Sequence, residues 1–187
     1  MNAMLRHSCP YVMVFVCVLT LGTFVYASSV HLKGGRKAEP SFVDDGISLT
    51  ASGELSGLGN ENLLISLIAR AKVTSTCTNH GGNEAPGQNP AELTVMGAEA
   101  VPKEEIDNGN LDFSVDTLTP ETPIEGAPGC PNPNWVQTID DLAFTEATIL
   151  VEQPEGTPVL RVDCTIDPAS EDGPISKGDV VCTQTQL

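Results

Sequence analysis

Aromatic and basic side chains are what this chain has least of. Of its 187 residues one is tryptophan, two are tyrosine and five are phenylalanine, and nine lysines and arginines face 25 acids for a formal net charge of −16. Both tyrosines, Tyr11 and Tyr26, fall in the first 27 residues together with Phe15 and Phe24, so the remainder must build its core from aliphatic side chains around Phe42, Phe113, Trp135 and Phe144. From Ile47 onward the only cations are Arg70, Lys72, Lys103, Arg161 and Lys177. Such a chain repels phosphate backbones and anionic lipid surfaces, which argues against nucleic-acid binding and against docking on a membrane. Histidine is scarce as well: beyond Ile47 only His80 remains. There is no Cys-x-x-Cys pair for zinc and no Gly-x-Ser-x-Gly elbow for a serine nucleophile.

The first segment has a grammar of its own. Met1 to Pro10 carries Arg6 and no acid, Tyr11 to Ala27 is an apolar run, and Val25-Tyr26-Ala27 ahead of Ser28-Ser29 offers small residues where a leader peptidase cuts. Residues 1–27 therefore read as a helical secretory signal peptide. The alternative is an uncleaved N-terminal anchor facing outside, since the run is close to the shortest that spans a bilayer. Residues 28–46, with Lys33, Arg36, Lys37 and a Gly34-Gly35 pair but no apolar period, read as a flexible spacer, and residues 47–187 as one domain.

In that domain the clearest signal is Leu63 to Cys77. Leu63, Ile65, Leu67, Ala69, Ala71, Val73, Ser75 and Cys77 share one parity while Ser66, Arg70, Lys72, Thr74 and Thr76 share the other, the period of a half-buried strand. Ile47 to Leu55 alternates in the same way, and the turn at residues 57–62 predicts an antiparallel hairpin between the two. A strand from Leu93 to about Val101 follows, with parity blurred around Met96 to Ala100, which predicts a bulge or an edge position. Pro102 to Ile106 allows one helical turn, Asp107-Asn108-Gly109-Asn110 is a tight-turn signal, and Leu111 to Thr117 alternates again. Strand character returns after Trp135, with a hairpin of Leu142–Val151 and Val159–Ile166 and a last strand holding Val180 and Cys182. Seven or eight short strands without a long helix predict an all-β fold, a two-sheet antiparallel Greek-key sandwich of the immunoglobulin-like kind.

Four cysteines follow the leader, and an even number in an exported chain implies two bridges out of three pairings. Spacing favours Cys77 with Cys130 and Cys164 with Cys182. The first would draw together two breaker-rich loops, residues 78–90 and 119–134, the second of which holds five prolines. The candidate binding residues are those this juxtaposition collects: Asn79, His80, Asn83, Gln88, Asn89, Asn132 and Asn134. Asparagines in turns also satisfy their own backbone, the plainer role for them. Trp135, beside the bridge, is expected to pin the core.

Adjacent acids at Asp44-Asp45, Glu104-Glu105, Asp140-Asp141 and Glu171-Asp172 point to opposite faces if on strands, and aromatic sugar platforms are lacking, so a glycosidase is disfavoured. Asp107 to Asp112 lacks the spacing of a calcium loop. An irregular Ca²⁺ site using Asp140, Asp141 and loop carbonyls is the remaining metal reading. The segments Cys77-Thr78-Asn79, Gly82-Asn83, Pro86-Gly87-Gln88-Asn89-Pro90 and Cys130-Pro131-Asn132-Pro133-Asn134-Trp135 resemble a family of small secreted bacterial β-sandwich-like proteins that share this loop pair. The resemblance covers about Ser48 to Val151 and implies an exported bacterial β protein without an activity, cofactor or catalytic residue attached. The sequence thus points to a non-enzymatic extracellular module whose partner is another exported protein or an envelope component. A Ca²⁺-stabilised binding domain is the second reading and an extracellular hydrolase the third.

Overall fold

The computed structural model describes residues 29–87, 92–124 and 127–187, and the expected leader lies outside them. In chain order the strands are β1 (His31–Leu32), β2 (Ser41–Asp44), β3 (Leu49–Ser56), β4 (Leu63–Thr78), β5 (Glu84–Pro86), β6 (Leu93–Val101), β7 (Asn110–Asp116), β8 (Val136–Glu152), β9 (Pro158–Ile166), β10 (Gly173–Pro174) and β11 (Val180–Gln186). The helical structure among the described residues is two short 3-10 turns, Lys103–Glu105 and Lys177–Asp179. One sheet runs β1-β3-β2-β10 with β7 also on β3, and the other runs β11-β9-β8-β4 with β5 and β6 both on β4. Every pairing is antiparallel. Among the described residues one hydrophobic cluster lies between the two sheets, drawing Phe42, Leu49 and Val115 from one and Ile65, Leu67, Phe144, Ile149 and Leu160 from the other.

β4 is the axis of the larger sheet. Its odd-numbered residues from Leu63 to Cys77 are all buried, as its alternation requires. β6 lies along one edge without a register shift, and β8 lies along the other with shifts between Arg70 and Ala71 and between Thr74 and Ser75. The bulge expected in Met96 to Ala100 is therefore absent and the edge position is found. There Gly97 lies against the Asp116 backbone so closely that a Cβ would overlap it, and the Leu118 N–H donates to the Met96 carbonyl at 2.9 Å.

Two expectations are corrected. β3 and β4 do not form a hairpin, because both edges of each are taken by other strands and the turn between them carries the chain from one sheet to the other. The buried Gln153 side chain fixes that crossing: it accepts from the Gly59 N–H at 2.7 Å and donates to the Gly59 and Glu61 carbonyls at 3.1 and 2.8 Å. The spacer expected over residues 28–46 is corrected from residue 29 on, for β1 and β2 are strands of the smaller sheet and Val30, Leu32 and Phe42 are buried. Their apolar residues are too few and too widely spaced to show a period, yet each fills a place in the core. The Gln184 side chain clamps this segment, accepting from the Leu32 N–H at 2.9 Å and donating to the carbonyls of Gly35 and Ala38 at 3.0 Å each.

Candidate functional site

The ribbon of β4 and β8 runs past the sandwich body and ends in a tip of its own. Thr78 stands opposite Val136, so the chain leaves both strands at one end and the loops beyond them are neighbours. On one side, β5 folds back along Thr76 to Thr78 through a turn at Asn79–Asn83, and the Gly87 N–H donates to the Ser75 carbonyl at 2.7 Å. On the other, the Ile124 N–H donates to the Gln137 carbonyl at 3.0 Å, laying the proline-rich loop against the free edge of β8. Disulfides join Cys77 to Cys130 and Cys164 to Cys182, as the spacing predicted.

Beneath the first bridge is a small polar core that alternation gave no reason to expect. Gln137 is buried; its amide donates to the Ser75 hydroxyl at 3.1 Å, and its oxygen accepts from the Gly129 N–H at 3.0 Å. Gly129 lies so near the Gln137 amide that a Cβ there would displace it. Trp135 is only partly buried and does not belong to the core cluster, so its expected role as a core pin is corrected: the inward position is that of Gln137, two residues on.

The candidate residues divide. Asn79 is spent on its own turn, its side-chain oxygen accepting from the N–H groups of Gly81 and Asn83 at 2.8 and 2.9 Å. Asn132 likewise accepts from the Asn134 N–H at 2.9 Å. These two play the plainer role, holding loop shape. His80, Asn83 and Asn134 are exposed at the same end. The Asn83 amide makes one long bond to Asn79, at 3.4 Å. Gln88 and Asn89 lie outside the described residues. From Thr78 to Asn83 and from Cys130 to Val136 there is no charged side chain, although the molecule carries a net charge of −16. These runs form an uncharged patch of imidazole and amide groups, bordered by Glu84, beside a partly buried indole and Val136, which is 43% exposed.

The other candidates resolve into supports. Asp107-Asn108-Gly109-Asn110 is a two-residue turn with φ of 50° and 77° at Asn108 and Gly109, and Asp107 and Asn110 exchange two backbone bonds of 2.9 Å each. Asp140 sits at a register shift of β8 and accepts from the Thr76 hydroxyl at 2.7 Å. Among the described residues no three His, Cys, Asp or Glu side chains gather as a metal site.

Asp44, one of the adjacent acids, is buried between the sheets. It accepts from the Ser170 hydroxyl and from the Gly46 N–H, the latter at 2.9 Å. Ser170 in turn accepts from the Phe144 N–H at 2.7 Å, so a chain of bonds ties β2 to β8. Donating to Asp44 and accepting from the Phe144 N–H, this hydroxyl is a strut, and among the described residues no histidine joins the pair. Glu171, Asp172 and Asp179 line a half-open cleft beside it. Burial pushes the Asp44 carboxyl above its ordinary value, opposed by the Ser170 and Gly46 hydrogen bonds. The Arg161 guanidinium holds Asp163 below its own.

The signs of these two shifts are opposite. Asp44, raised in the folded state, contributes stability that is complete below its unfolded value near 3.8 and lost as pH rises through the folded value. Asp163, lowered, contributes stability above its unfolded value that is lost as pH falls through the folded one. Urea titrations of the protein and of Asp44→Asn at neutral pH and near pH 4 are therefore expected to shift their difference toward the parent at the lower pH. A shift toward the variant would mean that the buried carboxylate is favoured as the ion.

Two antiparallel sheets around one core, stitched by two disulfides, define a β-sandwich-like protein. No protein-family model, curated protein or solved structure matches the chain. No helix among the described residues is long and apolar enough to cross a membrane, and that with the two disulfides is compatible with an extracellular setting.

Proposed function

We propose that the protein is a non-enzymatic, exported, immunoglobulin-like binding module that grips another exported protein or an envelope component through the tip built by residues 78–90 and 119–134. The observation that carries this reading is the uncharged surface of Thr78–Asn83 and Cys130–Val136, bordered by Glu84, on a strongly anionic molecule. Acids elsewhere keep the body soluble and apart from its neighbours, whereas the tip presents amide, imidazole and indole groups that pair without the cost of desolvating a charge. At residues 79–83 and 129–137 its backbone is fixed beforehand by the bridge, by Asn79 and Asn132 and by the buried Gln137, so binding there orders little that is not already ordered. Loops set on a rigid sandwich end are a common place for recognition.

The test is affinity capture from the culture medium and envelope fraction of the source cells, with the parent and with His80→Ala, Asn83→Ala and Trp135→Ala as bait. The parent is expected to retain a defined component, and at least one substitution to weaken its capture about thirtyfold or more, the size of a binding hot spot, with the melting temperature unchanged. Equal capture by all four baits would remove the tip from the account.

A further inference from the structure

Strand β11 is the outermost strand of the larger sheet and is bonded to β9 alone. Two bonds fix which of its backbone groups face inward. The Asp167 N–H donates to the Asp179 carbonyl at 2.8 Å, and the Leu187 N–H donates to the Val159 carbonyl at 3.2 Å. Alternate residues of an antiparallel ladder bond to the same side, so Val181, Thr183 and Thr185 spend their groups on β9. Val180, Cys182, Gln184 and Gln186 therefore turn theirs outward. The Cα separation of 4.1 Å between Cys164 and Cys182 agrees, since close Cα atoms mark a pair that exchanges no backbone bonds. Among the described residues none bonds those outward groups.

Edges of this kind are ordinarily blunted by charge, proline, a bulge or a covering segment. The centre of β6 is covered by Leu118, β7 carries Asp112 and Asp116, and β1, β5 and β10 are two or three residues long. β11 carries no charge, proline or bulge, and the Leu32–Ala38 segment that its Gln184 side chain holds bonds none of its outward backbone groups. Its seven residues hold no charge and no proline, its ladder has no register shift, and Val181 is 66% exposed.

We propose that Val180–Gln186 pairs antiparallel with the same strand of a second copy, about a two-fold axis through Thr183. Outward residues must meet outward residues, which sets Cys182 against Gln184 of the second copy and Val180 against Gln186 of the second copy, each pair exchanging two backbone bonds. On the exposed face Thr183 then meets its own counterpart and Val181 meets Thr185 of the second copy, β-branched pairs suited to a ladder. That symmetry favours a second copy over a foreign strand. The neutral strand meets itself without like charges opposed, and the pairing consumes the open edge and closes the assembly as a dimer.

The test is sedimentation equilibrium and amide exchange on the protein as exported, at low and at moderate salt. A reversible dimer is expected, tighter in salt because two bodies of −16 repel at long range. The amides of Val180, Cys182, Gln184 and Gln186 are expected to gain protection as concentration rises. Thr183→Lys, which opposes two ammonium groups at the axis, should weaken the dimer at least tenfold with the melting temperature of the monomer unchanged, and Thr183→Val should keep it. A monomer at millimolar concentration in both salts overturns the proposal. So does a dimer indifferent to Thr183→Lys, which places the interface elsewhere, and so does protection of those amides that arises only when a different exported protein is added.

Discussion

A chain lacking residues 29–45 is expected to show no cooperative melting transition in a calorimeter. The deletion removes Val30, Leu32 and Phe42 from the core, where they are 0%, 2% and 2% exposed. At about 1.5–3 kcal/mol for each buried side chain of this size, the three together represent a large part of the roughly 5–15 kcal/mol that holds a domain folded. The smaller sheet would be reduced to β3 and β7, with one face of the larger sheet opened to water. Polar consequences add to this. Gln184 would lose three hydrogen bonds and Ser170 its acceptor Asp44, and Glu54 would lose its ion pair with Lys33. A shortened chain that melted within a few degrees of the intact one would show that this segment is attached to the fold and not part of it.

Replacing both Cys77 and Cys130 with serine is expected to lower stability by about 4 kcal/mol, the chain-entropy value for a bridge whose ends are 53 residues apart. The same treatment of Cys164 and Cys182, 18 residues apart, is worth about 3 kcal/mol. The two differ more in where the loss falls. β9 and β11 remain paired over seven residues without their bridge, whereas loop 119–134 is otherwise held by a few contacts such as Gln137 to Gly129 and Ile124 to Gln137. Urea midpoints should fall in both variants. Amides of the β4–β6 ladder, which open with the whole fold, should quicken in both variants in step with the lost stability, and those of residues 79–87 and 127–136 should quicken beyond that in the first variant alone. Uniform quickening would mean that the tip is no separate unit.

The contrast between β4 and β8 shows what the sequence reveals and what it hides. β4 keeps one parity for sixteen residues and is legible from end to end. Its partner is just as long, but the buried positions of β8 change parity twice, from Gln137 and Ile139 to Leu142 and Phe144 and then to Ala147, Ile149 and Val151. Those changes fall at the two register shifts. Each shift spends a residue without a partner, so alternation read along the chain sees fragments where the fold has one strand. β1 and β2 were hidden for another reason, since two or four residues are too few to carry a period. Both disulfides were legible because cysteines are countable and their neighbours were strand ends. At the tip, residue type marked the asparagines without separating Asn79 and Asn132, consumed by their turns, from His80, Asn83 and Asn134, which face outward. Gln137, Gln153 and Gln184 carried no signal, because a glutamine that anchors a loop looks like any surface glutamine until the loop is in place.

The long ribbon has a mechanical meaning. Because β4 and β8 pass without a break from the body into the tip, tension applied at that end runs along the strands, and the rungs between them share it. Rungs loaded along the strands share the force, where rungs loaded crosswise open one at a time.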